Sequence, residues 1–174
     1  MEIKILSKEE QEAIYAQAYE MLEKADDEFV PPLSSRTSST QKDFLKKEKG
    51  DGIKTYFEQL KTQRFLSVCE ENTLIGFASF KENYVCNEIT ELPNIYVSTI
   101  VVSPLSRGKG ITSKIYDALF KKYNTIFTRT WSTNYAHIKI LERLSFKPVK
   151  ILPNDRGNGI DTIYFKGTRN DSST

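Results

Sequence analysis

Cysteine, histidine and tryptophan are all scarce in this chain. Cys69 and Cys86 are the only thiols among 174 residues, too few for the disulfide framework of a small secreted domain and without the spacing of a zinc site, so no metal is expected. Cys69 sits in the apolar run Phe65 to Cys69 and is expected as a small buried thiol. Long apolar runs are lacking too, and none approaches the ~20 residues of a membrane-spanning helix. Met1-Glu2-Ile3-Lys4 places charges where a signal peptide needs apolar residues, which makes a cytoplasmic location the expectation. Net charge is only +2, too small to point to nucleic acid. The basic residues Lys42, Lys46, Lys47 and Lys49 are interleaved with Asp43, Glu48 and Asp51, as on a solvated helix face. No internal repeat or linker divides the chain.

What is present, 39% hydrophobic and 28% charged residues, suits one globular domain, expected over residues 1–167 with a frayed polar tail at 168–174. Residues 2–6 alternate like a strand. Ser7-Lys8-Glu9-Glu10 forms a capping box that opens a helix with Ile14, Ala18, Met21, Leu22 and Ala25 on one side. The pattern then lapses from Asp26 to Asp51, apart from one helical turn near Lys42 to Lys47, and such long irregular segments tend to be functional or mobile. A second helix is expected from Gly52 to about Gln63, then a hairpin of Phe65–Glu70 and Leu74–Lys81. Strands follow at Ile95–Ser103, Thr125–Thr130, Phe146–Leu152 and Asp161–Lys166, with a flexible turn at Asn154–Gly159. Helices are expected after Gly110 and over Asn134–Leu144. This order predicts an α/β fold on a mixed sheet: hairpin-linked antiparallel strands first, then a strand-helix-strand crossover that makes one parallel pair.

The most informative stretch is Arg107-Gly108-Lys109-Gly110-Ile111-Thr112, a basic, glycine-paired turn between a β-branched strand and a helix. Glycines let the backbone approach a ligand closely, and the unpaired N–H groups of a new helix, with the positive end of its dipole behind them, suit a pyrophosphate. Two better-known phosphate loops are excluded. A Walker loop needs Lys and Ser or Thr directly after its last glycine, where Ile111 stands, and the dinucleotide fingerprint needs a third glycine, where Ser113 stands.

Arg-x-x-Gly-x-(Gly/Ala), following a strand and opening a helix, is the acyl-coenzyme-A signature of the GNAT superfamily of N-acetyltransferases, and residues 107–112 resemble it with Thr112 as the last member. The family's second signature, Asn-x-x-(Ser/Ala)-x-x-Leu-Tyr-x-x-x-Gly-Phe, is similar to Asn134, His137, Ile140, Leu141, Ser145 and Phe146. The resemblance implies a central, mostly antiparallel sheet with one parallel strand pair, flanked by helices. It also implies transfer of an acyl group from acetyl-CoA to a primary amine (a small amine, amino acid or peptide) by direct attack. Arg107, Gly108, Lys109, Gly110, Ile111 and Thr112 would cradle the diphosphate. Ile100, Val101 and Val102 would pair with the pantetheine arm like an added strand, and Asn134 would donate an amide hydrogen bond to it. His137, in register with Asn134, is either a cofactor contact or a half-buried helix residue.

One departure matters most. Leu141 stands where many relatives have the Tyr that protonates the departing thiolate. Tyr96, Tyr84, Tyr135 and Tyr116 are nameable replacements, with Tyr96 expected first. Solvent protonation, or a non-catalytic acyl-CoA sensor, are the alternatives. A base acting through water is placed by analogy at Glu82, with Glu28, Glu88 and Glu91 behind it. Glu28, Phe29 and Arg36 of the irregular segment, and Trp131 after the Thr125–Thr130 strand, are expected to border the acceptor. There an acidic loop would suit a cationic amine and Arg36 a carboxylate. A monomer or homodimer is expected, without nucleic-acid or membrane partners.

Overall fold

Every β-branched or aromatic run in the second third of the chain ends up at the centre of one sheet. A computed structural model describes residues 1–35 and 49–170, with backbone only at 49–51. Arg36, the basic residues from Lys42 to Lys47 and the residues after Asn170 lie outside the described residues. Seven strands are described: β1 (Glu2–Ile5), β2 (Arg64–Glu70), β3 (Thr73–Glu82), β4 (Ile95–Val102), β5 (Thr125–Trp131), β6 (Lys147–Gly157) and β7 (Ile160–Thr168). Their spatial order is β1-β2-β3-β4-β5-β7-β6, antiparallel throughout except for the parallel pair β4–β5. The helices are α1 (Lys8–Ala25), α2 (Lys49–Leu60), α3 (Ile111–Phe120) and α4 (Tyr135–Arg143).

The helix starts follow local chemistry. Ser7 and Glu10 exchange both bonds of the capping box, Glu10 N–H donating to Ser7 Oγ at 3.2 Å and Ser7 N–H to Glu10 Oε1 at 3.0 Å. Ala18, Leu22 and Ala25 then bury one stripe of α1 with α2 against Phe65, Phe77 and Val101 of the sheet. On the other face, Ile111, Ile115 and Leu119 of α3 and Leu141 of α4 pack on Leu66, Val68, Ile95, Val97 and Ile126. The sheet therefore separates two apolar cores.

A bulge in β4 decides which core each residue enters. Thr99 pairs with Ser79 and Val97 with Phe80, which leaves Ser98 without a residue opposite it. Strict alternation would put positions 95, 97 and 101 on one face. Instead Ile95 and Val97 lie in the α3/α4 core and Val101 in the α1/α2 core, because one extra residue reverses every side chain that follows it.

The C-terminal hairpin differs from expectation. The segment from Asn154, polar enough to suggest a flexible turn, continues as strand to Gly157, and the turn is only Asn158-Gly159. Side chains hold it to β7: Asn154 N–H donates to Asp161 Oδ1 at 2.9 Å, and Arg156 Nε to Thr162 Oγ1 at 2.7 Å. Thr168 and Arg169, expected in a frayed tail, are instead held to the fold. Thr168 belongs to β7, Arg169 N–H donates to the Asn124 carbonyl at 2.7 Å, and Arg169 Nε reaches the Phe120 carbonyl. Cys69 is half-buried rather than enclosed, and its thiol pKa is raised by desolvation.

α2 lies so close to the short turn Leu33–Ser35 that a Cβ on Gly52 would stand 1.9 Å from the Ser34 carbonyl oxygen. That turn is itself fixed by buried Asp26, which accepts from Ser34 N–H at 2.7 Å and Ser34 Oγ at 2.8 Å. Gly52→Ala is therefore expected to destabilise despite the better helix propensity of alanine, by about 2 kcal/mol, with a Tm lower by roughly 4–8 °C. Thermal unfolding followed by circular dichroism checks it; an unchanged or higher Tm would contradict so close a contact.

Candidate active site

β4 and β5 pair at only three positions, Ile95 with Ile126, Tyr96 with Phe127 and Val97 with Thr128, and then part. Thr128 Oγ1 donates to the Val97 carbonyl at 3.0 Å at the point of divergence. Ser103 N–H donates to the Ile75 carbonyl at 2.8 Å, so by antiparallel alternation Val101 and Thr99 also turn their backbone groups toward β3. Ile100 and Val102 turn theirs to the open edge. Of the three residues expected to pair with a cofactor arm, Val101 is thus spent on β3 and on the α1/α2 core. The gap opens into a cleft of about 420 Å³ between β4, β5 and α4, closed on one side by Glu28 and Phe29.

At one end of the cleft a short turn, Pro104–Ser106, leads into the glycine pair. Gly108 has φ 82° and Gly110 φ 72°, in the left-handed region that side-chain-bearing residues avoid, and a Cβ at either would meet nothing within 4 Å. Here glycine is required by the conformation and not by crowding. Gly110 is the N-cap of α3 and carries no side chain to cap it, so the first amides of α3 keep their hydrogen-bonding capacity and the dipole end stays open. Thr112 faces the cleft, Ile111 is buried in the core, and Lys109 leans away toward Glu70, 4.0 Å distant.

Arg107 does not stand free. Its Nη1 and Nη2 donate to the two carboxylate oxygens of Glu28 at 2.7 and 2.6 Å, and its Nε to the Val102 carbonyl at 3.3 Å. The acidic residue expected to receive a cationic acceptor is thereby neutralised by the arginine expected at the diphosphate.

Asn134 caps α4. Its Oδ1 accepts from His137 N–H at 3.4 Å and its Nδ2 donates to Thr130 Oγ1 at 3.1 Å. His137 lines the cleft with one edge while its ring stacks on Tyr116, Nε2 lying 2.9 Å from Tyr116 Oη. Burial lowers the imidazole pKa to about 4 and raises that of the enclosed Tyr116 phenol, so near neutral pH both rings are uncharged. Leu141 is fully buried in the core, and α4 shows the cleft Ala136, His137 and Ile140 instead.

Two expected catalytic residues are not brought to the cleft. Glu82 ends β3 on the far side, where its carboxylate takes Arg64 Nη1 at 3.1 Å. Tyr96 is buried beneath the cleft wall, stacked on Tyr84 with centroids 4.8 Å apart, and desolvation raises its pKa. Its phenol is a core group. Tyr135, 74% exposed, is not among the cleft-lining residues.

Phe29 and Trp131 do meet, centroids 5.8 Å apart, and wall the cleft. Two charged residues of the cleft, Arg129 and Arg156, are not singled out by the sequence analysis. Arg156 extends over Trp131, 6.0 Å from the ring centroid, and donates from Nη1 to the Val30 carbonyl at 2.9 Å. Arg129 alternates with Trp131 along β5, and that spacing was the available signal.

Residues 19–146 match the model of the acetyltransferase (GNAT) family. An N-alpha-acetyltransferase of Saccharolobus solfataricus is 28% identical over 107 residues, which span 56% of this chain and 64% of that protein's length. The fold is similar to that of an aminoglycoside 6'-acetyltransferase type Ii, with a TM-score of 0.70, 17% identity and 98% of each chain covered. It is also similar to that of yncA from Salmonella typhimurium, solved with its cofactor acetyl-CoA, with a TM-score of 0.62, 17% identity, and 98% of this chain and 95% of that one covered.

The buried imidazole has a measurable consequence. Its folded value of about 4 lies below the ordinary 6.5, so across that window the unfolded chain binds more protons than the folded one. This contribution to stability is whole above the unfolded value and diminishes as pH falls toward the folded one. The single histidine should titrate near pH 4 by NMR, and His137→Gln should flatten the acid-side decline of stability. Titration near 6.5 would contradict the burial.

Proposed function

The chain belongs to the acetyltransferase (GNAT) family, and from that membership we propose that it is an acetyl-CoA-dependent N-acetyltransferase acting on an amine acceptor. The observation that supports this best is the adjacency of an open β4 edge and an uncapped, glycine-led helix start on one cleft. These parts fit a long polar thioester carrier ending in phosphates. Ile100 and Val102 would offer it strand-like hydrogen bonds, and the turn from Gly108 to Thr112 would offer amide N–H groups to its diphosphate. Arg107 would add charge there once released from Glu28. Acetyl-CoA supplies an activated acyl group on a thiol whose acidity makes it a good leaving group.

The remaining work falls to this chain's own groups. An amine must arrive neutral, close to the acyl carbon and in line with it. Among the described cleft-lining residues the only carboxylate is Glu28, which is engaged by Arg107. A cleft containing Arg107, Arg129 and Arg156 lowers the pKa of an incoming ammonium by like-charge proximity and desolvation. The acceptor can then lose its proton to water, without a dedicated base. Leu141 leaves no phenol on α4 at the position expected for the acid, which fits solvent protonation of the thiolate.

A second reading, a non-catalytic acyl-CoA-binding module, draws on the same two features: the buried Leu141 and the absence of an unengaged carboxylate among the described cleft residues. Calorimetry with acetyl-CoA and a thiol-release assay over an amine panel separate the two. Release with at least one acceptor is expected, whereas tight binding without release would favour the module. Replacing both Gly108 and Gly110 by Val strains two left-handed positions, so acetyl-CoA affinity should fall roughly tenfold to a hundredfold with the fold retained. Unchanged affinity would remove the glycine turn from the site.

A further inference from the structure

We propose that Arg129 is a carboxylate-recognition residue, and that the acceptor is a small amino acid whose carboxylate it binds; this rests on the acetyltransferase reading above. Arg129 is the first residue of β5 after the strands part. Along β5, Thr128 bonds to β4 and Thr130 to Asn134 at the α4 start, while Phe127 packs with Tyr96 and Tyr164 on the other face. Arg129 alternates onto that second face together with Trp131.

The Arg129 side chain is exposed and lines the cleft, with donors left to offer there. Nη1 donates to Tyr164 Oη at 3.2 Å, and the group stands 6.0 Å from the Tyr164 ring centroid. Among the described residues no carboxylate lies within 4.0 Å of it, although the cleft's other arginines are engaged: Arg107 by Glu28, Arg156 by Thr162 and the Val30 carbonyl. A guanidinium has five donors in a planar fork that matches a carboxylate. Set among Tyr96, Tyr164 and Tyr56, which is itself tied to Thr99 Oγ1 at 2.6 Å, most of those donors have only the cleft to turn to.

An exposed guanidinium beside aromatic walls is hydrated in the open cleft, and a carboxylate entering there can exchange that water for a bidentate, charge-assisted pair. On the reading above the phosphates of acetyl-CoA would lie at the glycine turn that follows β4, so an anion met by Arg129 on β5 would belong to the acceptor. An α-amino acid fits the arrangement: carboxylate on Arg129, amine directed back to the parting point of β4 and β5, and an apolar side chain along Phe29 and Trp131. Carboxylate recognition would then fall to Arg129, on strand β5; Arg36, also expected to suit a carboxylate, lies outside the described residues.

The test compares L-leucine and L-phenylalanine with their amides and their decarboxylated amines, in a thiol-release assay with acetyl-CoA. Binding is followed in parallel by fluorescence of Trp131, the sole tryptophan, in the presence of CoA. The free acids should exceed the amides and amines by about 100-fold in kcat/KM, as expected for a charged, paired hydrogen bond. Arg129→Gln should abolish that preference through KM while acetyl-CoA affinity by calorimetry stays the same, and Arg129→Lys should restore part of it. Equal or better use of the amides by the parent protein, or a preference that survives in Arg129→Gln, overturns the proposal and leaves the transferase reading standing. Carboxylate-dependent quenching of Trp131, lost in Arg129→Gln but without thiol release, supports the subsite and overturns the transferase reading. Neither binding nor release with any of these acids overturns the subsite; acetyl-CoA turnover with other amines then tells whether the transferase reading survives.

Discussion

The single extra residue at Ser98 is the constraint from which the rest of the architecture follows. Because no residue of β3 stands opposite Ser98 in the register, the side chains of β4 reverse faces there and the strand leaves the ladder it forms with β5. Below the bulge β4 is an ordinary interior strand, bonded on both edges and buried on both faces. Above it one edge is bonded to β3 and the other has no strand beside it among the described residues, with the Val102 carbonyl met by Arg107 Nε. A free strand edge inside a protein leaves amide and carbonyl groups that need partners. In this fold those groups look into a cleft wide enough for a ligand to supply them.

The glycine turn and α4 acquire their meaning from that opening. The turn from Arg107 to Thr112 would be an unremarkable helix start if β4 and β5 stayed paired, since no groove would lead to it. Asn134 and His137 look at the same cleft from α4, but their polar atoms already serve the fold: Asn134 caps the helix and bridges to Thr130, and His137 bonds to Tyr116. The cleft is also electrostatically asymmetric. Three arginines line it against one glutamate, and that glutamate is held by one of the three. Such a site favours anionic ligands at both ends, and it lowers the basicity of an amine held between them.

The elements of the fold were legible because their signals are local. A capping box, alternating apolar strands, helical apolar stripes and a positive-φ glycine pair each depend on residues a few positions apart, and the structure keeps nearly all of them. The exceptions are equally local in cause. Asn154 to Gly157 is polar in composition yet stays extended, because Asp161 and Thr162 of the facing strand bind its backbone and side chains. Glu82 was placed by analogy near the site and proves to be an ion-paired strand end. Tyr96 was chosen for its hydroxyl, and burial with Tyr84 makes it part of the packing.

The amino-acid sequence by itself determined the order of helices and strands, the mixed sheet with one parallel pair, and the conformation of the turn at Gly108 and Gly110, since hydrogen-bond capping and backbone sterics act over a few residues. Only the tertiary structure decided which charges meet. Arg107 and Glu28 are far apart in the chain and bonded in space, while Arg129 stands without a carboxylate partner among the described residues. Coulombic pairing and desolvation depend on distances that arise only when the sheet has formed and β4 has parted from β5, and no pattern of neighbouring residues encodes those distances.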